Sequence, residues 1–146
     1  MVDDDVTGID GVPWPVFGID LTLRSTEAGG RSKPLGAVPY KRYQYRPNWT
    51  LPSMTFPDQT GAPVLCFGSL PLFPGGTSRA VIVPLVDLSL PLWNEVLVGD
   101  EIILCEGARD CGSATVVWIV ISERPLPLEH ESSFCEWAEG GPVPPC

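Results

Sequence analysis

Six of the nine lysines and arginines fall in one stretch: Arg24, Arg31, Lys33, Lys41, Arg42 and Arg46. Glu27 is the single acid among them, so the stretch carries +5. The chemistry of such a cluster is anion recognition. Lys33, Lys41, Arg42 and Arg46 can contact phosphates, with Tyr43, Tyr45 and Trp49 beside them to pack or stack on bases. The same arginines can instead flank turns and pair with acids elsewhere in the chain. Arg31 and Arg109 read first as loop holders that donate to backbone carbonyls. The rest of the chain supplies the acids. It holds Arg79, Arg109 and Arg124 against seventeen carboxylates, or −14, within an overall charge of −9. That body opposes RNA at long range and speaks against DNA and anionic membranes as partners. A basic face on an acidic body does suit docking on a protein with complementary patches.

Catalytic constellations are poor. The lone histidine, His130, lies among prolines and glutamates, where a solvated side chain is the plain expectation. A Ser–His–Asp or Cys–His group meets in space rather than in sequence, which keeps a small hydrolase among the readings. Asp100 and Glu101 are adjacent, and neighbours on a strand face opposite sides, so they make no acid/base couple. The five cysteines, Cys66, Cys105, Cys111, Cys135 and Cys146, contain no C-x-x-C spacing. They read as buried thiols in strands, with one or two near the C-terminal end, and not as metal ligands. The chain contains no Gly-x-x-x-x-Gly-Lys-Ser/Thr loop to cradle a nucleotide. The expectation is a non-enzymatic binding protein with no metal and no cofactor.

The elements that must position these residues are short. Proline and glycine together make 32 of 146 residues, 17 and 15, which disfavours long helices. Residues 1–15 read as an acidic arm, residues 16–123 as the domain and residues 124–146 as a Pro/Glu-rich tail that Phe134 and Trp137 can anchor to the body. In 16–24, Ile19, Leu21 and Leu23 face one side, and Asp20, Thr22 and Arg24 the other, as in a half-buried strand. Residues 40–51 read as extended, with Pro47 at an edge, bulge or strand end. Residues 53–63 read as a polar loop. Strands follow in 64–72, 78–88, 101–105 and 113–121, with turns at 74–76 and 106–110. The sequence predicts a sandwich or barrel, all-β. The acidic start and the lack of a long apolar run lead to an expectation of a cytoplasmic protein.

Four turns occur in a distinctive order. Gly29-Gly30-Arg31 follows the first strand, Tyr45-Arg46-Pro47 comes next, and Phe73-Pro74-Gly75 precedes the run 81–86. Glu106-Gly107-Ala108-Arg109 with Gly112 then opens the last strand. This order resembles the third, C-terminal β-barrel domain of elongation factor Tu, standing alone without the GTPase domain. The resemblance covers residues 19–120 and implies a single six-stranded antiparallel β-barrel, with Gly29, Gly30, Gly75 and Gly107 in tight turns and Gly112 at a bulge. Ala108 stands where the family has a second glycine, and Asn48 where it usually has glutamine. By the resemblance, the basic segment lies where the T-stem of aminoacyl-tRNA is held. Two partner classes follow: a protein, with the chain as a mimic or immunity-type protein, or tRNA or another RNA held by the segment 33–46.

Overall fold

The structure is a computed structural model that describes residues 11–36 and 38–145. Most of the acidic arm, residues 1–10, and Cys146 lie outside the described residues. Among the described residues seven strands follow in chain order: β1 (Val12–Leu23), β2 (Asn48–Thr50), β3 (Thr60–Gly61), β4 (Val64–Phe67), β5 (Thr77–Ile82), β6 (Glu101–Glu106) and β7 (Arg109–Arg124). A single 3-10 turn (Asp87–Ser89) and a short helix α1 (Leu90–Trp93) join β5 to β6, and α2 (Leu128–Ala138) follows β7. All strands belong to one antiparallel sheet in the order β3-β2-β6-β7-β1-β5-β4. The described residues are therefore mostly β, and the sheet is not closed by strand pairing between its two ends. Seven strands are counted instead of six because residues 60–67 form two short strands separated by Ala62 and Pro63.

β1 and β7 are the spine, paired over the whole length of β1 from Val12 opposite Arg124 to Leu23 opposite Gly112. β1 begins earlier than its apolar alternation suggests, because Pro13 and Pro15 obscure it. Both lie before Phe17, where pairing with β5 begins, so one side of β1 is open and tolerates a missing donor. From residue 19 onward the expected alternation holds: Ile19, Leu21 and Leu23 are buried, and Asp20 and Thr22 are exposed.

The sheet encloses one apolar layer and presents another. Phe17, Ile19, Leu21, Trp49, Leu51, Ile82, Trp93 and Leu104 belong to the first. Trp14, Val16, Leu65, Val81, Trp118 and Val120 form the second, which α2 covers with Phe134, Trp137 and Ala138. A register shift between Gly18 and Ile19 lets β7 serve both layers, with Val116 in the first and Trp118 in the second. The stretch read as a tail thus contains a docked helix. Its apolar positions Phe134, Trp137 and Ala138 sit at i, i+3 and i+4. Glu129 and Glu131 occupy its positive first turn, and Gly140, at φ 107, ends it.

The turn glycines divide. Gly29, Gly75 and Gly107 have positive φ, whereas Gly30 does not: it packs where a Cβ would stand 2.2 Å from the Arg24 carbonyl oxygen. Gly112 follows a bulge in which Cys111 is the extra residue, since Leu104 pairs with Gly112 and Cys105 with Asp110.

A tight fit lies at Gly18, opposite Trp118 in the β1–β7 ladder. A Cβ on Gly18 would lie 2.1 Å from Trp118 Cε2. Gly18→Ala must therefore displace the indole from its stack against α2. A loss of about 1–3 kcal/mol is expected in urea unfolding. An unchanged midpoint would show that the indole moves aside at no cost.

Candidate functional site

The basic segment lies in the long connection from β1 to β2. This loop folds over the sheet through two carboxylates supplied from distant parts of the chain. At the first, Arg31 pairs with Glu106 at the end of β6, and the same carboxylate accepts from Tyr45 Oη at 2.5 Å. Arg31 also donates to the carbonyls of Lys33 at 3.2 Å and Pro34 at 3.4 Å, the loop-holding role expected of it. At the second, Glu131 of α2 accepts from Arg42 at 2.9 Å and from Tyr43 Oη at 2.9 Å. Arg24 takes Asp110 at 2.7 Å. Three of the six cations are thus paired with acids from outside the segment, and Lys33, Lys41 and Arg46 remain turned to solvent. Arg109 is also exposed, and among the described residues it holds no loop carbonyl.

Tyr43 is the strained point of this loop. Its φ of 63 is in the left-handed region that a bulky side chain avoids. The turn is held on both sides: Tyr43 N–H donates to the Val64 carbonyl at 3.1 Å, and Arg46 Nε donates to the Tyr43 carbonyl at 3.2 Å. Strain of this kind persists where surrounding contacts over-determine the backbone.

Trp49 requires a correction. It is fully buried on β2, and its indole N–H donates to the Ala62 carbonyl at 3.0 Å. It cannot stack on a base. The apolar residues Pro47, Trp49 and Leu51 alternate along the chain, and that pattern marks the inner face.

What Arg46 joins is a surface groove of about 220 Å³ lined by Arg46, Pro47, Asn48, Ala62, Pro63, Leu85 and Val86, among others. Val86 is 56% exposed and Leu88, two residues on, is 91% exposed. Sequence reasoning placed 78–88 in a strand and so missed this apolar edge. β5 stops at Ile82, and Pro84 follows, its carbonyl accepting from Trp14 Nε1 at 2.6 Å. The chain after it runs over the surface with its apolar side chains uncovered.

His130 is not in a solvated tail. It sits half-buried on α2, with Nδ1 2.7 Å from Ser122 Oγ. It lines a cavity of about 450 Å³ with Val120, Glu129, Ser133, Phe134 and Pro144. Ser122 is buried and does not line that cavity, so the pair holds α2 on β7 without offering a nucleophile to it. Among the described residues no three of His, Cys, Asp and Glu gather as a metal site needs, and no helix is long and apolar enough to cross a membrane.

The loop network makes a prediction for alkaline pH. Burial raises all three tyrosines above their ordinary pKa, and the Glu131 and Glu106 carboxylates raise Tyr43 and Tyr45 further. The unfolded chain releases these protons near pH 10 while the folded chain keeps them. Stability is therefore complete below about pH 10 and is lost as pH rises beyond it. Tyrosinate absorbance should appear together with unfolding, and Tyr43→Phe should flatten the alkaline decline. Three phenols titrating normally in the folded chain would show that the network is open to water. No protein-family model matches the chain, and no curated protein is found to be similar to it.

Proposed function

We propose that this chain is a non-enzymatic binding module that acts through protein–protein contact at the groove beside Arg46. The observation that carries this reading is the junction of a guanidinium that pairs with no carboxylate among the described residues with exposed apolar side chains, Leu85 and Val86, in one concavity. Clustered apolar exposure of this kind marks interaction surfaces. The partner it fits is an extended acidic–apolar segment: a carboxylate for Arg46 and an aliphatic or aromatic side chain for the groove.

In its narrower form the proposal makes the chain a stand-alone relative of the third domain of elongation factor Tu, with the sheet closed as a six-stranded barrel. Its support is topological. The strands at the two ends of the sheet, β3 and β4, are consecutive in the chain. Main-chain bonds from Ala62 N–H to the Pro47 carbonyl at 3.3 Å and from Val64 N–H to the Tyr45 carbonyl at 2.9 Å extend the β2–β3 ladder. Residues 60–67 thus act as one bent strand that touches 43–50 on one side and β5 on the other. In this form the partners are proteins that recognise such a barrel, and the chain is a mimic or immunity-type protein.

The RNA reading is left with Lys33, Lys41 and Arg46, because Arg31 and Arg42 are engaged by carboxylates and Trp49 is buried.

Displayed peptide libraries panned on the full chain should enrich segments with an acid near a large apolar residue. Arg46→Glu and Val86→Asp should each weaken such a peptide about tenfold or more, the loss of roughly 1.4 kcal/mol. Lys33→Glu should leave it nearly unchanged. Peptides that bind equally well to both groove variants would overturn this site. Salt-dependent binding of tRNA, weakened by Lys41→Glu and Arg46→Glu, would favour the RNA reading instead.

A further inference from the structure

The second half of β7 has a strand partner on one side alone. β6 pairs with β7 as far as Thr115, opposite Glu101, and Val116 then exchanges main-chain bonds with Gly99 at 2.8 Å and Asp100 at 2.9 Å. From Trp118 to Arg124 the strand pairs with β1, and among the described residues no main chain bonds to its outer side. The prolines of β1 fix which residues face that side. Pro13 and Pro15 stand opposite Glu123 and Ile121 and have no N–H to give. β1 therefore bonds to β7 at Val12, Trp14 and Val16, opposite Arg124, Ser122 and Val120. The main-chain groups of Ile119, Ile121 and Glu123 point outward.

Open strand edges are commonly protected by charge, proline or a cover. The run from Val116 to Ile121 contains no charge and no proline. Beside it lies the cavity of about 450 Å³ that His130 lines. Val120 and Ile121 both line this cavity, although neighbours on a strand face opposite sides. A cavity that touches both reaches around the edge. Phe134 and Pro144, both buried, give it an apolar wall, and Glu129, which is exposed, also lines it. Among the described residues no lysine or arginine does.

We propose that the outer edge of β7 is a docking site at which an extended basic–apolar segment of another protein adds as a further strand. Its main chain bonds to Ile119, Ile121 and Glu123. One large apolar side chain enters the cavity against Phe134 and Pro144, and a lysine or arginine meets Glu123 or Glu129. The acidic body, −14 outside residues 24–46, draws such a segment in and repels an acidic one. The site is separate from the groove beside Arg46, and the two select opposite charges.

The test begins with the full chain carrying Arg46→Glu and Val86→Asp, both at exposed positions, so that the groove takes no part. Displayed random linear peptides panned on it should enrich alternating apolar residues with a lysine or arginine. A selected peptide is then made with N-methyl groups on every second amide. One alternation should lower affinity about tenfold or more and the other should leave it within about twofold, because only one row of amides faces the strand it joins. On the natural chain, bound peptide should slow hydrogen exchange at the amides of Ile119, Ile121 and Glu123 about tenfold or more. Ile121→Pro, which removes one outward donor, should weaken the peptide by a similar factor. The exchange measurement needs no variant of these residues, so it decides the matter even if Ile121→Pro prevents folding. No enrichment, an equal effect of the two alternations, or protection that falls on other amides would each overturn the proposal. So would outer amides already protected without peptide, or protected only as the chain dimerises, since the chain itself or a second copy would then cover the edge.

Discussion

The packing of Trp118 is the constraint on which the rest of this structure depends. The indole lies against Gly18 on one side. On the other, Phe134 is stacked at 5.4 Å and Trp137 stands edge-on at 5.2 Å. A sheet that buries one face leaves the other to water unless something covers it, and here α2 does. The helix brings two large apolar residues, Phe134 and Trp137, to the second layer, each worth about 1.5–3 kcal/mol of burial, with Ala138 beside them. Polar ties then fix its position. Arg79 donates to the Trp137 carbonyl at 2.8 Å while its guanidinium lies 4.8 Å from the centre of that ring. Gly68 admits the helix end, since a Cβ there would stand 2.0 Å from the Ala138 carbonyl oxygen. Without the Gly18–Trp118 fit, these ties would have no docked surface to hold.

The same helix controls the charged loop. Glu131 reaches from α2 to Arg42 and Tyr43, and Glu106 reaches from β6 to Arg31 and Tyr45. Half of the cations in the segment that stands out in the sequence as a +5 cluster are therefore consumed in attaching it to the body. Half-buried ion pairs of this kind do little for net stability compared with apolar burial. Their effect is on direction: they decide which cations are left over. Arg46 is one of these, and it lines the groove with Leu85 and Val86.

Much of the strand layout was legible because it rests on local rules. Alternation located the half of β1 that begins at Ile19. The glycine turns at 29, 75 and 107 located the connections, and β-branched residues marked β5 and β7. Non-local packing was harder to read. Pro13 and Pro15 hid the start of β1, since their tolerance depends on an open strand side that only the topology reveals. α2 was hidden by composition, although its signals were present: Phe134, Trp137 and Ala138 at helical spacing, glutamates at the start and Gly140-Gly141 at the end. Trp49 was misplaced because a neighbouring Tyr-Arg-Pro suggested a surface, while the alternation of Pro47, Trp49 and Leu51 pointed inward. At the site, the apolar edge at 85–88 was missed for the opposite reason. Its residues are core types, and only the end of β5 at Ile82 exposes them.

These misplacements share a cause that bears on function. In a small sheet domain, apolar and basic residue types are spent first on attaching loops and covering faces, so type alone does not separate structural use from binding. The separation comes from what each side chain has already paired with. Arg31, Arg42 and Trp49 have partners inside the fold, and removing them would disturb loop and core before any ligand. Val86 and Leu88 are exposed, and Arg46, also exposed, gives the fold one bond from Nε to the Tyr43 carbonyl. Arg46, Leu85 and Val86 thus line one groove with exposed apolar side chains beside a guanidinium that pairs with no carboxylate among the described residues.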